Sequence, residues 1–281
     1  MRVGLIGAGL LGSALGERLV IAGFAVKGFD TSPDRLLELS ALGAQTAQSA
    51  REAAAFGDVT VLCLPDSRVS SAVLTEIGGE LNDEKIVVDT STGEPGEMER
   101  MGRRAPRYLD ATIAGSSQQV RDREAVVMAG GTAADYEACG ELFAAFASKS
   151  FHVGSHGAGS RMKLVVNLVL GLNRAALAEG LAFAEAIGVD LERALEVLRC
   201  SPAYSTALDR KGAKMLRRDW SPEARLRQHH KDVRLILAEA EKSGLDLPLS
   251  AAHDRLLSLA EDAGFADGDN SAVLEAFRKR S

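Results

Sequence analysis

The stretch Gly4–Leu19, "GLIGAGLLGSALGERL", decides the fold. A short apolar run, Val3 to Ile6, leads into Gly7, Gly9 and Gly12 in G-x-G-x-x-G spacing, and a helical pattern follows from Ser13 to Ala22. Each glycine has a separate job in a nucleotide-binding turn. The first permits the tight turn, the second lets backbone approach a pyrophosphate, and the third lets helix and strand pack closely. The helix N-terminus then offers N–H groups and a positive dipole end to phosphates. Leu10 and Leu11, inside the turn, join the three glycines as cofactor-binding candidates. The bare motif also describes a glycine-rich turn that binds nothing. Its place after a strand, before a helix and at the head of a βα series favours a dinucleotide.

Working outward, the runs at 25–29, 59–64, 85–89, 125–130 and 151–153 read as further strands, rich in β-branched residues and closed by Gly, Asp or Pro. Helix patterns at 33–42 and 135–147 lie between them. This alternation predicts an α/β fold with a Rossmann-type, mostly parallel, doubly wound sheet. Beyond residue 158 the strand signals stop. Helical patterns at 160–187, 191–199, 205–216, 231–243, 249–263 and 271–278 predict an all-α second half. The expected division is a dinucleotide-binding domain over 1–157 and a helical substrate and oligomerisation domain over 158–281, with the active site in the cleft between them. The long helix at 160–187 is apolar on most of its circumference, so it is expected between domains or subunits, in a homodimer or homotetramer.

Asp30 closes the second strand, 18 residues after Gly12. A carboxylate there accepts hydrogen bonds from the adenosine ribose and repels a 2′-phosphate, so NAD is favoured over NADP. Arg35, the next arginine, is expected to point away on its helix.

A net charge of −6 argues against nucleic acid and anionic membranes as partners. With 46% hydrophobic and 26% charged residues, the composition is that of a soluble globular protein. With a strand expected from residue 2, no targeting peptide is expected, nor is any apolar run expected to approach the roughly 20 residues that span a bilayer. Cys63, Cys139 and Cys200 are scattered and odd in number, as expected of core thiols in a reducing, cytoplasmic compartment.

"GAGSRMKLVVNLVLGL", 157–172, sets Lys163 and Asn167 four residues apart in an apolar run, one above the other on a helix. Groups this polar in such surroundings need a partner or a task. The bland alternative is a lysine that snorkels from the helix face.

Together with "CLPDS" at 63–67, "DTST" at 89–92, "DATIAGSS" at 110–117 and "HKDVRL" at 230–235, these motifs stand in the order of the β-hydroxyacid dehydrogenases, and the chain resembles that family over nearly its whole length. The family includes 3-hydroxyisobutyrate dehydrogenase; the C-terminal half looks most like the glyoxylate/succinic semialdehyde reductases. The resemblance implies an NAD(P)-dependent oxidoreductase interconverting a small β-hydroxy acid and its semialdehyde or oxo acid. It places Leu64, Pro65 and Thr92 beside the nicotinamide, Lys231 on the cofactor, and Ser91 and Asp232 at the substrate. It makes Lys163 the catalytic general acid/base and Asn167 its companion. Burial among apolar neighbours is expected to lower the lysine pKa.

The substrate loop departs from the family's "DAPVSGG". Thr112 replaces proline, Ala114 replaces the usual serine and Ser116 replaces the second glycine. Gly115, Ser116 and Ser117 remain candidates for holding a substrate carboxylate. Arg121 or Arg123 could meet a second anionic group, or be solvated surface arginines. The pair His229-His230 has no accompanying ligand set, so no metal is expected. The basic stretch around Trp220 reads as a solvated connection or an attractor of acidic substrate. Two rivals share the architecture: an imine reductase, which generally lacks the lysine, and a catalytically silent dinucleotide-binding module, which would be expected to have lost it.

Overall fold

A computed structural model gives the fold and describes residues 1–278. Eight strands form one sheet: β1 (Arg2–Ile6), β2 (Ala25–Phe29), β3 (Gln45–Thr46), β4 (Val59–Leu62), β5 (Ile86–Asp89), β6 (Tyr108–Ala114), β7 (Ala125–Gly130) and β8 (Ala147–Gly154). Their order is β3-β2-β1-β4-β5-β6-β7-β8, parallel throughout except between β6 and β7. The helices interleaved with them are α1 (Leu10–Ile21), α2 (Pro33–Ala41), α3 (Ala50–Phe56), α4 (Ser67–Glu76), α5 (Pro95–Arg104), α6 (Ser117–Arg121), α7 (Ala133–Ala138) and α8 (Gly140–Phe146).

Successive strand residues point to opposite faces, and both faces are covered by helices. Val3, Leu5, Val59, Val61, Ile86 and Val88 join one core with residues of α1 and α8. Ile6, Leu62 and Val87 join a second with residues of α3, α4 and α5. Because β2 and β4 flank β1, the chain order reverses there. The carboxyl ends of β1 and β4 therefore form a topological switch point, where open α/β sheets bind ligands.

Two strands escape the sequence reading. β3 is only two residues long. β6 contains most of "DATIAG", read above as a loop, but it carries Asp110 and Thr112 fully buried on one face. Those polar residues break the apolar pattern that announces a buried strand. The region read as a single helix at 135–147 is two short ones, α7 and α8.

The chain divides into two compact units between Lys163 and Leu164, six residues beyond the boundary expected from sequence. The division falls inside α9 (Ala158–Ala186), because this helix starts against β6 and continues among the later helices. These are α10 (Leu191–Cys200), α11 (Thr206–Arg217), α12 (Leu226–Lys242) and α13 (Pro248–Ala260), followed by a π turn and a 3₁₀ segment, Asn270–Phe277. Among the described residues, nothing beyond β8 forms more than an isolated β-bridge. Leu177, Ala178, Leu181, Val233, Leu257 and Val273 belong to the core of this second unit. α12 begins at Leu226, which puts Lys231 and Asp232 in its second turn rather than at its start.

At 29 residues, α9 is long and apolar enough to cross a membrane, which corrects the expectation that no segment reaches that length. Of its apolar 18-residue window, 44% is buried inside the protein.

The glycine turn has no slack. A Cβ on Gly12 would stand 2.0 Å from the Gly7 carbonyl oxygen. Gly7 itself has φ +97°, which favours glycine. Replacing Gly12 by alanine is therefore expected to cost about 1–3 kcal/mol. Urea denaturation should show a lower midpoint with an unchanged m value; an unaltered midpoint would mean that helix and strand need not pack this closely.

Candidate functional site

The site begins at the carboxyl end of β1. The turn Gly7–Gly9 delivers the chain into α1, whose first turn contains no acidic residue. Leu10 is exposed, while Leu11 packs partly against the core. Asp30, immediately after β2, is 7% exposed. Its Oδ2 accepts the Ala8 N–H at 2.7 Å and its Oδ1 accepts the Ser32 N–H at 2.9 Å, tying the end of β2 to the glycine turn. Arg35 does not point away: its Nη1 lies 3.5 Å from Asp30 Oδ2.

The next strand ends are fastened to one another. Leu64 N–H donates to Ser91 Oγ at 3.0 Å, and Ser70 Oγ donates to the same oxygen at 3.1 Å. Asp89 Oδ1 accepts the Ser91 N–H, and Tyr108 Oη donates to Asp89 Oδ2 at 3.0 Å. Burial pushes the Asp89 carboxyl up, against the hydrogen bonds that hold it down, and pushes the Tyr108 phenol up with it. Ser91, only 3% exposed, thus places Leu64 and Pro65 relative to the half-buried Thr92.

Three residues of strand β6 hold the start of α9 through four hydrogen bonds. Asp110 Oδ1 accepts the Gly157 N–H and Oδ2 accepts the Ser160 N–H, both at 2.8 Å. Thr112 Oγ1 donates to the Gly159 carbonyl at 2.9 Å. The Ile113 carbonyl accepts Lys163 Nζ at 2.6 Å. An unpaired N–H at a buried helix start is costly, and a carboxylate suits the positive end of the helix dipole. Burial nevertheless pushes the Asp110 carboxyl up to about 7. Since β6 runs parallel to β5, and β5 to β4, the Lys163 amine sits at the same sheet edge as the glycine turn. Asp110 is absent from the candidates named from sequence. Its only sequence signal is an acid at the centre of a buried segment.

Beyond β6, Gly115 is exposed with φ +151°, and Ser116 caps α6. Ser116 Oγ accepts the Gln119 N–H while Gln119 Oε1 accepts the Ser116 N–H, a reciprocal capping box. The hydroxyl proton is left for another acceptor. Gln119 thereby fixes the loop. Ser117 follows, half-buried.

In the second unit, Asn167 is buried and its Nδ2 donates to Asp232 Oδ2 at 2.9 Å. Lys231 Nζ lies 3.4 Å from Asp232 Oδ1. Lys163 stands one turn before Asn167 on the same helix. The adjacent histidines diverge: the His229 ring packs 5.2 Å from that of His253, while His230 Nε2 meets Asp254 at 2.9 Å. Burial, with Arg174 nearby, lowers His253 to about 4, keeping it neutral. No group of three potential ligands is gathered for a metal ion among the described residues.

Arg121 pairs with Glu17 at 2.7 Å, and Arg123 donates to the Ala144 carbonyl at 3.0 Å. Both side chains therefore brace the first unit. Trp220 packs edge-on against Phe265, and Arg227 pairs with Asp267. Burial pushes the Cys63 thiol up to about 11 and that of Cys139 to about 12, so neither is a thiolate nucleophile.

Known proteins resemble the chain throughout. A family model described as the NAD-binding domain of 6-phosphogluconate dehydrogenase matches residues 2–154. A second, described as NAD-binding of NADP-dependent 3-hydroxyisobutyrate dehydrogenase, matches residues 157–277. L-threonate dehydrogenase of Cupriavidus necator is 30% identical, over 98% of this chain and 95% of its own. Glyoxylate/succinic semialdehyde reductase 1 of Arabidopsis thaliana is 28% identical over 99% of both. The crystal structure of a 3-hydroxyisobutyrate dehydrogenase from Salmonella typhimurium superposes with a TM-score of 0.90 at 26% identity, covering 98% of this chain and 99% of that one.

The state of Asp110 is open to a stability measurement. Its folded pKa of about 7 lies above the ordinary carboxyl range, so between about pH 4 and 7 the folded protein keeps a proton that the unfolded chain releases. Its contribution to stability is then full below about pH 4 and is lost as pH rises through 7. The stability difference between wild type and Asp110→Asn, read from urea midpoints, should shift against wild type between pH 4 and 7 and level off above. A difference that moves towards wild type over that range would mean that Asp110 stays ionised.

Proposed function

Because the chain belongs to the β-hydroxyacid dehydrogenase family of NAD(P)-dependent oxidoreductases, we propose that it interconverts a small β-hydroxy acid and its semialdehyde or oxo acid, with Lys163 as the general acid/base. The observation that carries this reading is the Lys163 ammonium, held by the Ile113 carbonyl at the end of β6, two residues from Gly115 and three from Ser116.

The glycine turn fits a dinucleotide. A Cβ on Gly9 would meet no atom closer than 3.9 Å, so the backbone there is open to a pyrophosphate, whereas Gly7 and Gly12 are closed against the protein. Gly7, Gly9, Leu10, Leu11 and Gly12 would hold the phosphates, Asp30 the adenosine ribose, and Leu64, Pro65 and Thr92 the nicotinamide end. Lys231 would add a cation. Asp30 favours NAD(H). When bound, the nicotinamide supplies or accepts the hydride.

The chain's own residues manage the proton and the carboxylate. In reduction, Lys163 Nζ donates to the substrate oxygen as negative charge develops on it; in oxidation, the neutral amine takes the proton back. The Ile113 carbonyl and the Asp110 cap restrict where that amine can go. The Ser116 hydroxyl, already accepting its capping bond, can donate to the carboxylate beside the Gly115 and Ser117 backbone. Asn167, oriented by Asp232, is assigned to the substrate's polar end, and Ser91 acts by positioning Leu64. Suitable substrates are short acids of the kind in the relatives' names: threonate, glyoxylate, succinic semialdehyde and 3-hydroxyisobutyrate.

We read the protein as a soluble cytoplasmic homo-oligomer. On α9, Val165, Val169, Ala176, Gly180 and Phe183 are exposed at spacings of four, seven, four and three residues, an apolar stripe with small residues at its centre that Ile187 continues just past the helix end. A second copy laid along this stripe would cover it.

Two measurements test the reading. With a panel of short semialdehydes, Lys163→Ala should bind NADH as wild type does and lose at least about 100-fold in turnover; turnover near that of wild type would refute the assignment. Sedimentation velocity should find wild type at least dimeric and Phe183→Glu shifted towards monomer. A monomeric wild type would remove the oligomer from the account.

A further inference from the structure

Asp30 and Arg35 together hold more chemistry than ribose recognition requires. Asp30 already accepts two backbone N–H bonds, from Ala8 and Ser32. A carboxylate has about four acceptor positions, so two remain. One of these, on Oδ2, faces the Arg35 guanidinium at 3.5 Å.

Arg35 is oddly placed for a structural residue. It lies in the first turn of α2, where a cation is opposed by the helix dipole. Its Nη1 stands 3.9 Å from the position of a Cβ on Gly9, so the guanidinium reaches over the glycine turn. The side chain is 53% exposed and can move. An ion pair whose cation is this exposed, at this separation, contributes little to stability. Beside it, Ser32 occupies the N-cap of α2 but makes no side-chain cap bond, which leaves its hydroxyl available. The only other acid in this first turn is Asp34, which is exposed.

We propose that Arg35 is a specificity-determining residue of the dinucleotide site, one that lets the enzyme use NADP(H) as well as NAD(H). The inference rests on the dinucleotide reading of the glycine turn. Without a 2′-phosphate, the guanidinium screens Asp30 and leaves the carboxylate to the ribose hydroxyls. With one, it turns from Asp30 to the phosphate, joined by the Ser32 hydroxyl. A guanidinium forms paired, charge-assisted hydrogen bonds to phosphate oxygens, and so offsets the repulsion that Asp30 would otherwise exert.

The test is equilibrium binding of NADH and NADPH, followed by nucleotide fluorescence, to wild type, Arg35→Ala and Arg35→Lys. Wild type should bind both with dissociation constants within about 10-fold of each other. Arg35→Ala should weaken NADPH by about 10- to 100-fold and change NADH by less than about 3-fold, with Arg35→Lys between. NADH binding by all three proteins also shows that the turn is folded. Wild type that binds NADH but not NADPH would overturn the proposal and leave the dinucleotide reading intact, as would equal losses for both nucleotides in Arg35→Ala. Binding of neither nucleotide by wild type would overturn both.

Discussion

The Asp110 carboxylate, shared between the Gly157 and Ser160 N–H groups, is the constraint on which the rest of the site depends. It joins a central strand to the first turn of the helix that carries Lys163. A helix start buried in protein needs partners for its free N–H groups, and here the sheet supplies them. The same strand takes the lysine ammonium on the Ile113 carbonyl three residues later. One strand thus fixes both where the helix begins and where its amine lies. The loop after it, Gly115 to Ser117, is carried along with the same strand.

The parallel topology does the remaining assembly. The glycine turn, the Asp30 carboxylate, the Leu64-Pro65 segment and the Ser91-Thr92 segment all follow strands that run in one direction, so they emerge at one edge. Buried serines and acids lace these ends together: Ser91 to Leu64 and Ser70, Asp89 to Ser91 and Tyr108, Asp30 to Ala8. Such bonds leave few buried polar groups unmatched while keeping loop backbone in fixed places. A reaction that needs a cofactor carbon, a substrate carbon and an amine in line benefits from that rigidity.

Much of this was legible in the sequence, for physical reasons that differ by element. β1 and the glycine turn were readable because steric demands at Gly7 and Gly12 leave no other residue type. The long helix was readable because polar Lys163 and Asn167 interrupt an apolar run at helical spacing. β6 was not, because its buried face carries Asp110 and Thr112, whose shortest side-chain hydrogen bonds run to residues 47 and more away in the chain. The direction taken by Arg35 was also hidden: helix phase alone does not say that a long side chain reaches back over a neighbouring turn. Arg121 and Arg123 were open to a role at the substrate or on the solvated surface, and Gln119 carried no assignment. The structure gives each of them an internal partner, Glu17, the Ala144 carbonyl and Ser116 respectively.

The account stands on an amine acting as the proton donor to the substrate oxygen, and chemical rescue tests it most directly. Small primary amines added to Lys163→Ala should restore reduction of a short semialdehyde, with second-order rate constants that vary regularly with amine pKa among amines of similar size. Failure of every amine to raise the rate, in a variant that binds NADH and substrate as tightly as wild type does, would contradict it.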